Sequence, residues 1–425
     1  MMTTRYKQSI LFFLLFLWSA TASLAQELPV AKPEAVGLSS ERLQRLTNVF
    51  QAYADDKKMA GSVILIARHG KVAYFNAFGK KDIESGAAMQ NDAIFRIASQ
   101  SKALVSTAIM MLQEEGKLLI ADPVSKYIPE FKETTVAEPK EGGGYNVVKA
   151  KRAITIRDLL THTAGIGYGS GVAADKWKEA GIQGWYFADR DEPIAATIAR
   201  LAALPMDAHP GEKYVYGYNT DILGVVVEKA SGKPLDEFLT TRIFTPLGMK
   251  DTYFYLPENK TARLATVYSA FADKPMERAP DAGTMVSQGA YVKGPRKSFS
   301  GGAGLLSTAT DYAKFLQMFL NGGVANGKRI LSRKTVELMT VSHTAKINFR
   351  AGEGFGLGFS VCQDLGERGT PGSVGEYGWG GAYGSTYWVD PKEDLVVVYF
   401  KQLIPTNGLD DQAKLRALIY QAIAD

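Results

Sequence analysis

The sequence predicts an α+β fold in which hairpins and helices from both chain ends build one sheet, with a mostly helical lobe set between them. Three observations carry this expectation. SVILIARHGKVAYFNAFG, residues 62–79, reads as two strands around a turn at His69-Gly70. GSTYWVDPKEDLVVVYFKQL, residues 384–403, reads as a second hairpin turning at Asp390-Pro391. Between them, helical runs alternate with long loops rich in Gly and Pro, such as EPKEGGGY at 138–145.

The elements follow in order. Ser40 to Lys58 has Leu43, Leu46, Phe50 and Tyr53 on one helical face, with Ser39 or Ser40 as cap and Lys57 and Lys58 suited to the C-terminal dipole. Ser99 to Gln113 reads as a strong helix ending at Gly116. Thr155–Thr161, Asp221–Ala230 and Ala309–Leu320 also read as helical, and Asp411–Ala424 as a closing helix. The expected organisation is an α/β lobe over about 26–90 and 291–425 and a helical lobe over about 91–290, together forming one catalytic unit at 26–425. Trp177 and Trp185 fall in loops expected to shape a pocket.

The first 25 residues stand apart. Arg5 and Lys7 precede the apolar run Ile10–Trp18, and Ser23-Leu24-Ala25 offers a small-x-small cleavage site before Gln26. This reads as a secretory signal peptide, which predicts export to the periplasm or medium of a bacterium. The apolar run is about half the length a membrane span needs, so no stable membrane anchor is expected.

Composition is that of a globular protein, with 46% hydrophobic and 22% charged residues among 425. Basic and acidic residues nearly balance, at 49 and 44, and no basic block interleaves with aromatics, so nucleic acid is not an expected partner. The one cysteine, Cys362, sits in the strand-like run GFSVCQD and cannot form an internal disulfide. No H-E-x-x-H, H-x-H or paired C-x-x-C occurs, so neither a zinc site nor any other cofactor is expected.

The chemistry-bearing signal is Ser99-Gln100-Ser101-Lys102, after the apolar-leaning AIFRIA and at the start of a helix. Free N–H groups and the helix dipole there favour a developing oxyanion. Lys102, three residues on, shares the helix face, and a desolvated lysine can take the proton of a serine hydroxyl. The bare pattern also fits a capped surface helix. No G-x-S-x-G elbow is present, and none of His69, His162, His209 and His343 sits in a triad-like motif, which leaves Lys102 as the available base. A second signal is PGEKYVYGYNTD at 210–221, where Tyr216 could shuttle a proton if the fold brings it to Lys102. A third is Gly378-Trp379-Gly380-Gly381-Ala382, where glycines at a strand allow close approach of a ligand to the backbone.

Taken in order, these pieces resemble the serine beta-lactamase-like superfamily, in its class C and esterase branch. FRIASQSKALVS, TIRDLLTHTAG, PLGMKDTYF, SGGAGLLSTATDYAKFL and YGWGGAYGSTYWVDP carry the resemblance, which runs from about residue 35 to the end. It implies a beta-lactamase/transpeptidase-like fold: an antiparallel sheet with terminal helices beside a helical lobe. It implies acylation of Ser99, with Lys102 and Tyr216 handling the proton, and an oxyanion hole from the backbone N–H groups of Ser99 and Ala382. Tyr218, Trp379, Gly380 and Gly381 would contact the substrate. Two departures bear on that substrate. Lactamases and DD-peptidases usually carry Lys-Thr-Gly where this chain has Trp379-Gly380-Gly381, and the family Tyr-x-Asn becomes Tyr216-Gly217-Tyr218, with Asn219 one place late. Both losses weaken recognition of a penicillin or a D-Ala-D-Ala end. The Trp-Gly-Gly form is similar to that of esterase members, and Trp379 offers an apolar wall suited to small acyl esters. The expected activity is hydrolysis of carboxylic esters or related small acyl substrates through an acyl-Ser99 intermediate. The alternatives are a class C-like beta-lactamase or DD-peptidase, and a non-catalytic binding protein on the same scaffold.

Overall fold

A computed structural model describes residues 27–425 apart from 273, 282 and 348. The segment read as a signal peptide, 1–25, therefore lies outside the described residues. Eight strands form the principal sheet: β1 (Gly61–Arg68), β2 (Lys71–Asp82), β3 (Ala87–Ala88), β4 (Glu353–Phe355), β5 (Ser360–Cys362), β6 (Tyr377–Gly380), β7 (Thr386–Asp390) and β8 (Leu395–Lys401). Their spatial order is β4-β5-β6-β7-β8-β1-β2-β3, and the pairings along it are antiparallel. The two chain ends meet at the β8–β1 pair, with Val63 opposite Phe400 and Leu65 opposite Val398.

The turn between β1 and β2 is His69-Gly70, with φ of 52° and 69°. Two successive left-handed residues match the twist of a tight antiparallel hairpin. All eight β1 residues are buried, so both faces of the sheet centre are covered. Val63 and Leu65 point toward the helical lobe, while Ile64 and Ile66 point toward the terminal helices. The latter face is closed by α1 (Ser40–Asp55) and by the C-terminal helix (Asp411–Tyr420). Leu43, Leu46, Phe50 and Tyr53 of α1 are buried as the helical spacing requires, and the Ser39 side chain caps the N-terminus. Full burial of a ring such as that of Phe50 contributes about 1.5–3 kcal/mol. Lys401 of β8 and Asp411 form a buried ion pair at 2.5 Å, and the Tyr399 hydroxyl donates to the same carboxylate at 2.5 Å.

The opposite face packs against α2 (Ser101–Glu114), which lies beside α4 (Asn219–Ser231), with α3 (Ile156–Leu160) against α4. Helix α5 (Ala309–Leu320) covers β8 and β1 from this side. Helix α2 does not begin at Ser99 as expected. A 3-10 turn at Ala98–Gln100 precedes it, and Ala98 takes a φ of 44°. A non-glycine residue in that region is a strained corner. It bends the chain out of the short strand Phe95–Arg96 and sets Ser99 at the mouth of α2. Among the described residues no helix is long and apolar enough to cross a membrane.

Candidate active site

The turn carrying Ser99 is held from several sides. Tyr312 of α5 donates to the Gln100 carbonyl at 2.8 Å, and Ser101 Oγ accepts the Leu305 N–H at 3.0 Å. The Ile97 N–H donates to the Leu305 carbonyl at 3.0 Å. These bonds fix Ser99, which is half-buried, in the wall of a cavity of about 460 Å³.

Lys102 is buried one helical turn on, 2% exposed. Its Nζ lies 3.2 Å from Ser99 Oγ, 3.2 Å from the Tyr168 hydroxyl and 2.7 Å from the Gly302 carbonyl. The S-x-x-K pair therefore meets inside the cleft and not on a solvated helix face. Gly302 belongs to the SGGAG segment, and its amide donates at 3.0 Å to Asp221 Oδ1 on α4. Ser300 Oγ donates to the same oxygen at 2.6 Å. Burial pushes the Asp221 carboxyl up from its ordinary value, and the nearby Lys102 and these two bonds pull it back. A Cβ at Gly302 would stand 2.3 Å from Asp221 Oδ2, so only glycine lets the peptide approach both the carboxyl and Lys102.

Tyr216 meets the same lysine through its ring: Lys102 Nζ lies 4.7 Å from the ring centroid. The Tyr216 hydroxyl accepts from the Trp379 indole N–H at 3.1 Å. Beneath it sits His162, whose ring centroid is 4.6 Å away. Burial first, and the nearby Lys102 second, hold His162 well below the usual histidine range, so it is neutral. Asn219 Nδ2 donates to His162 Nδ1 at 2.9 Å and to the Ile166 and Val215 carbonyls. The one-residue offset of Asn219 thus turns its amide into the core, away from the cleft.

Trp379, Gly380, Gly381 and Ala382 line the cavity together with Ser99 and Tyr216. Gly381 passes so close to the turn carrying Ser99 that a Cβ there would stand 2.6 Å from the Ile97 carbonyl. That approach brings the backbone after β6 beside Ser99. The Ala382 N–H has no hydrogen-bond acceptor among the described residues.

Tyr218, expected to touch substrate, does not line the cavity. It is fully buried, stacks on Trp177 at 5.9 Å and donates its hydroxyl to the Gly184 carbonyl. Its neighbour Trp177 is also core, with its indole N–H on the Pro205 carbonyl at 3.0 Å, whereas Trp185 does line the cavity. The bend at Gly217, where the chain turns into α4, separates the two rings, leaving Tyr216 in the cleft and Tyr218 in the aromatic core. Cys362 is a buried strand residue.

Two residues at the site were not singled out from the sequence. Tyr168 puts its hydroxyl on Lys102, and burial raises it well above the usual phenol range, so it remains a neutral phenol. Its signal was the run Gly165-Ile166-Gly167-Tyr168-Gly169, an aromatic among glycines just after the THT motif. Arg350 enters the cavity from the loop before β4, and nothing in its local sequence marks it.

This sheet, its flanking helices and the Ser–Lys pair at their junction define a beta-lactamase/transpeptidase-like fold. The Beta-lactamase family model matches residues 46–422, and the chain belongs to that family. Protein Rv1367c of Mycobacterium tuberculosis is 34% identical over 367 residues, covering 84% of this chain and 88% of the relative. Esterase EstB of Burkholderia gladioli is 31% identical over 382 residues, covering 86% and 92%. Among solved structures, EstCE1, described as a hydrolase with promiscuous acyltransferase activity, superimposes with a TM-score of 0.77 at 29% identity. That match covers 89% of this chain and 98% of EstCE1.

Proposed function

We propose that this protein is a serine hydrolase that cleaves carboxylic esters through an acyl-enzyme on Ser99. The observation that carries the reading is the buried Lys102 Nζ 3.2 Å from Ser99 Oγ, inside a cavity walled by Trp379. Ser99 Oγ attacks the ester carbonyl while its proton passes to Lys102. The Ser99 and Ala382 amides receive the negative charge on the carbonyl oxygen. Tyr216, with its ring against Lys102, hands its hydroxyl proton to the departing alkoxide and is reprotonated by Lys102, which returns to the free amine. A water then attacks the acyl-serine by the reverse relay, releasing the acid and restoring Ser99. Trp379 and Gly381 form the wall against which the ester lies. The similarity to EstB supports an ester over a lactam, and EstCE1 makes transfer of the acyl group to an added alcohol a variant of the same scheme. The pattern of residues 1–25 supports export before the enzyme acts.

The test is a paired assay of the mature protein on p-nitrophenyl butyrate and a chromogenic cephalosporin, with Ser99→Ala as control. Fast ester release with little cephalosporin turnover, both lost in the variant, is expected. Comparable turnover of the cephalosporin would put the lactamase reading first, and stoichiometric acylation without turnover would favour a binding role.

A further inference from the structure

Besides Lys102, the cleft holds a cation whose guanidinium makes no hydrogen bond among the described residues. Arg350 lines the same cavity as Ser99. Its guanidinium carbon lies 5.0 Å from the Trp379 ring centroid and 4.9 Å from that of Phe349. Planar guanidinium groups favour such aromatic faces, so two rings fix where the charge sits before any ligand arrives. Among the described residues the group makes no hydrogen bond, and its ion-pair contact is Glu353, with Nη1 3.6 Å from Oε2. That distance is well beyond the 2.7–2.9 Å of a charge-assisted hydrogen bond. The other two arginines of the cavity wall differ. Arg368 and Arg416 are both spent on Glu376, at 3.1 Å and 2.7 Å.

The position of Arg350 assigns it to one side of the substrate. Trp379 presents its indole N–H to the Tyr216 hydroxyl, and Tyr216 is the group proposed to protonate the departing oxygen. The wall of Trp379 therefore flanks the alcohol part of the ester. Arg350, stacked on that wall, faces whatever the alcohol carries. Resting on the ester-hydrolase reading above, we infer that Arg350 is an anion subsite that selects esters whose alcohol portion bears a carboxylate. It acts by a bidentate contact from its forked N–H groups, leaving the acyl group to be read elsewhere in the cleft.

Two substrates isolate this contact: 3-acetoxybenzoate and its neutral carboxamide, 3-acetoxybenzamide. Both give the same acetyl-enzyme, so the ratio of their kcat/KM values reports only on acylation. Both rates scale with the amount of folded enzyme, so partial misfolding of a variant cancels. The side chain of Arg350 is 58% exposed, which limits the contact to the strength of a partly screened ion pair. The expected result is a ratio that favours the anion in wild type, falls about fivefold in Arg350→Ala, and falls further in Arg350→Glu. Raising the ionic strength should shrink the wild-type preference. A ratio that changes by less than twofold in both variants overturns the assignment. Failure of the parent reading looks different: neither ester is cleaved, or Ser99→Ala still cleaves both.

Discussion

Two tyrosines contact Lys102, and replacing each by phenylalanine separates their roles. Tyr168→Phe removes one hydrogen bond at 3.2 Å to Lys102 Nζ. Bonds of this kind contribute from about 1 kcal/mol when neutral to about 3 kcal/mol when charged, and the length places this one in the lower half. At about 1.4 kcal/mol per tenfold, kcat/KM should fall about five- to thirtyfold. Tyr168 is held as a neutral phenol by burial, which fits a group that positions the lysine. Tyr216→Phe removes no hydrogen bond to Lys102, only the hydroxyl that accepts from Trp379. If that hydroxyl protonates the leaving group, its loss costs about 10²- to 10⁴-fold. The assay must use an alkyl ester such as ethyl butyrate, followed by titration of released acid, because ethoxide leaves poorly without a proton. Nitrophenolate is a good leaving group unprotonated, so the Tyr216→Phe deficit should shrink on p-nitrophenyl butyrate while the Tyr168→Phe deficit should not. A larger loss from Tyr168→Phe on ethyl butyrate, or a Tyr216→Phe deficit equal on the two esters, would refute the assignment.

Three further outcomes follow from packing and charge. Gly381→Ala places a Cβ 2.6 Å from the Ile97 carbonyl, against 3.2 Å from the Ser385 carbonyl for Gly380→Ala, so Gly381→Ala should cut kcat at least tenfold on p-nitrophenyl butyrate and Gly380→Ala far less. Equal effects would show that the backbone after β6 does not abut the turn carrying Ser99 as described. Asp411→Ala leaves the Lys401 ammonium, 1% exposed, without its counter-charge, and should cost about 3–5 kcal/mol in urea unfolding. A cost below about 1 kcal/mol would mean water reaches that site. Burial holds the Asp311 carboxyl up at about 6 against an ordinary 3.8. The folded state therefore binds that proton more tightly, its contribution is most favourable below about pH 4, and stability is lost as pH rises through about 6. Two pKa units correspond to about 3 kcal/mol, so the stability of wild type relative to Asp311→Asn should decline by up to that amount between pH 4 and 7. A difference that is flat or rises with pH contradicts this.

Much of this was legible before any coordinates, and what was not has physical causes. The hairpins followed from local signals, as with His69-Gly70, where the turn itself demands left-handed residues. Helix α5 runs over Ala309–Leu320 as expected, because apolar spacing and the Thr308 cap act within a single turn. The pairing of Ser99 with Lys102 was likewise local, three residues apart on one segment. The start of α2 was misread because the strain at Ala98 is imposed by tertiary bonds from Leu305 and Tyr312, which no local pattern reveals. Tyr218 was misplaced because the direction of a side chain in an irregular loop depends on what it packs against, here Trp177 and the Gly184 carbonyl. Tyr168 and Arg350 reach the cleft from segments remote from Ser99, and burial around Lys102 and stacking on Trp379 exist only once the lobes are assembled.

The most direct test of the central claim is to quench the purified protein seconds after mixing with p-nitrophenyl butyrate and to map the adduct by peptide mass spectrometry. The account predicts one butyryl group on the peptide containing Ser99, decaying as substrate is exhausted and absent in Ser99→Ala. Ester turnover with no acyl group on Ser99, or an adduct that persists in Ser99→Ala, would contradict it.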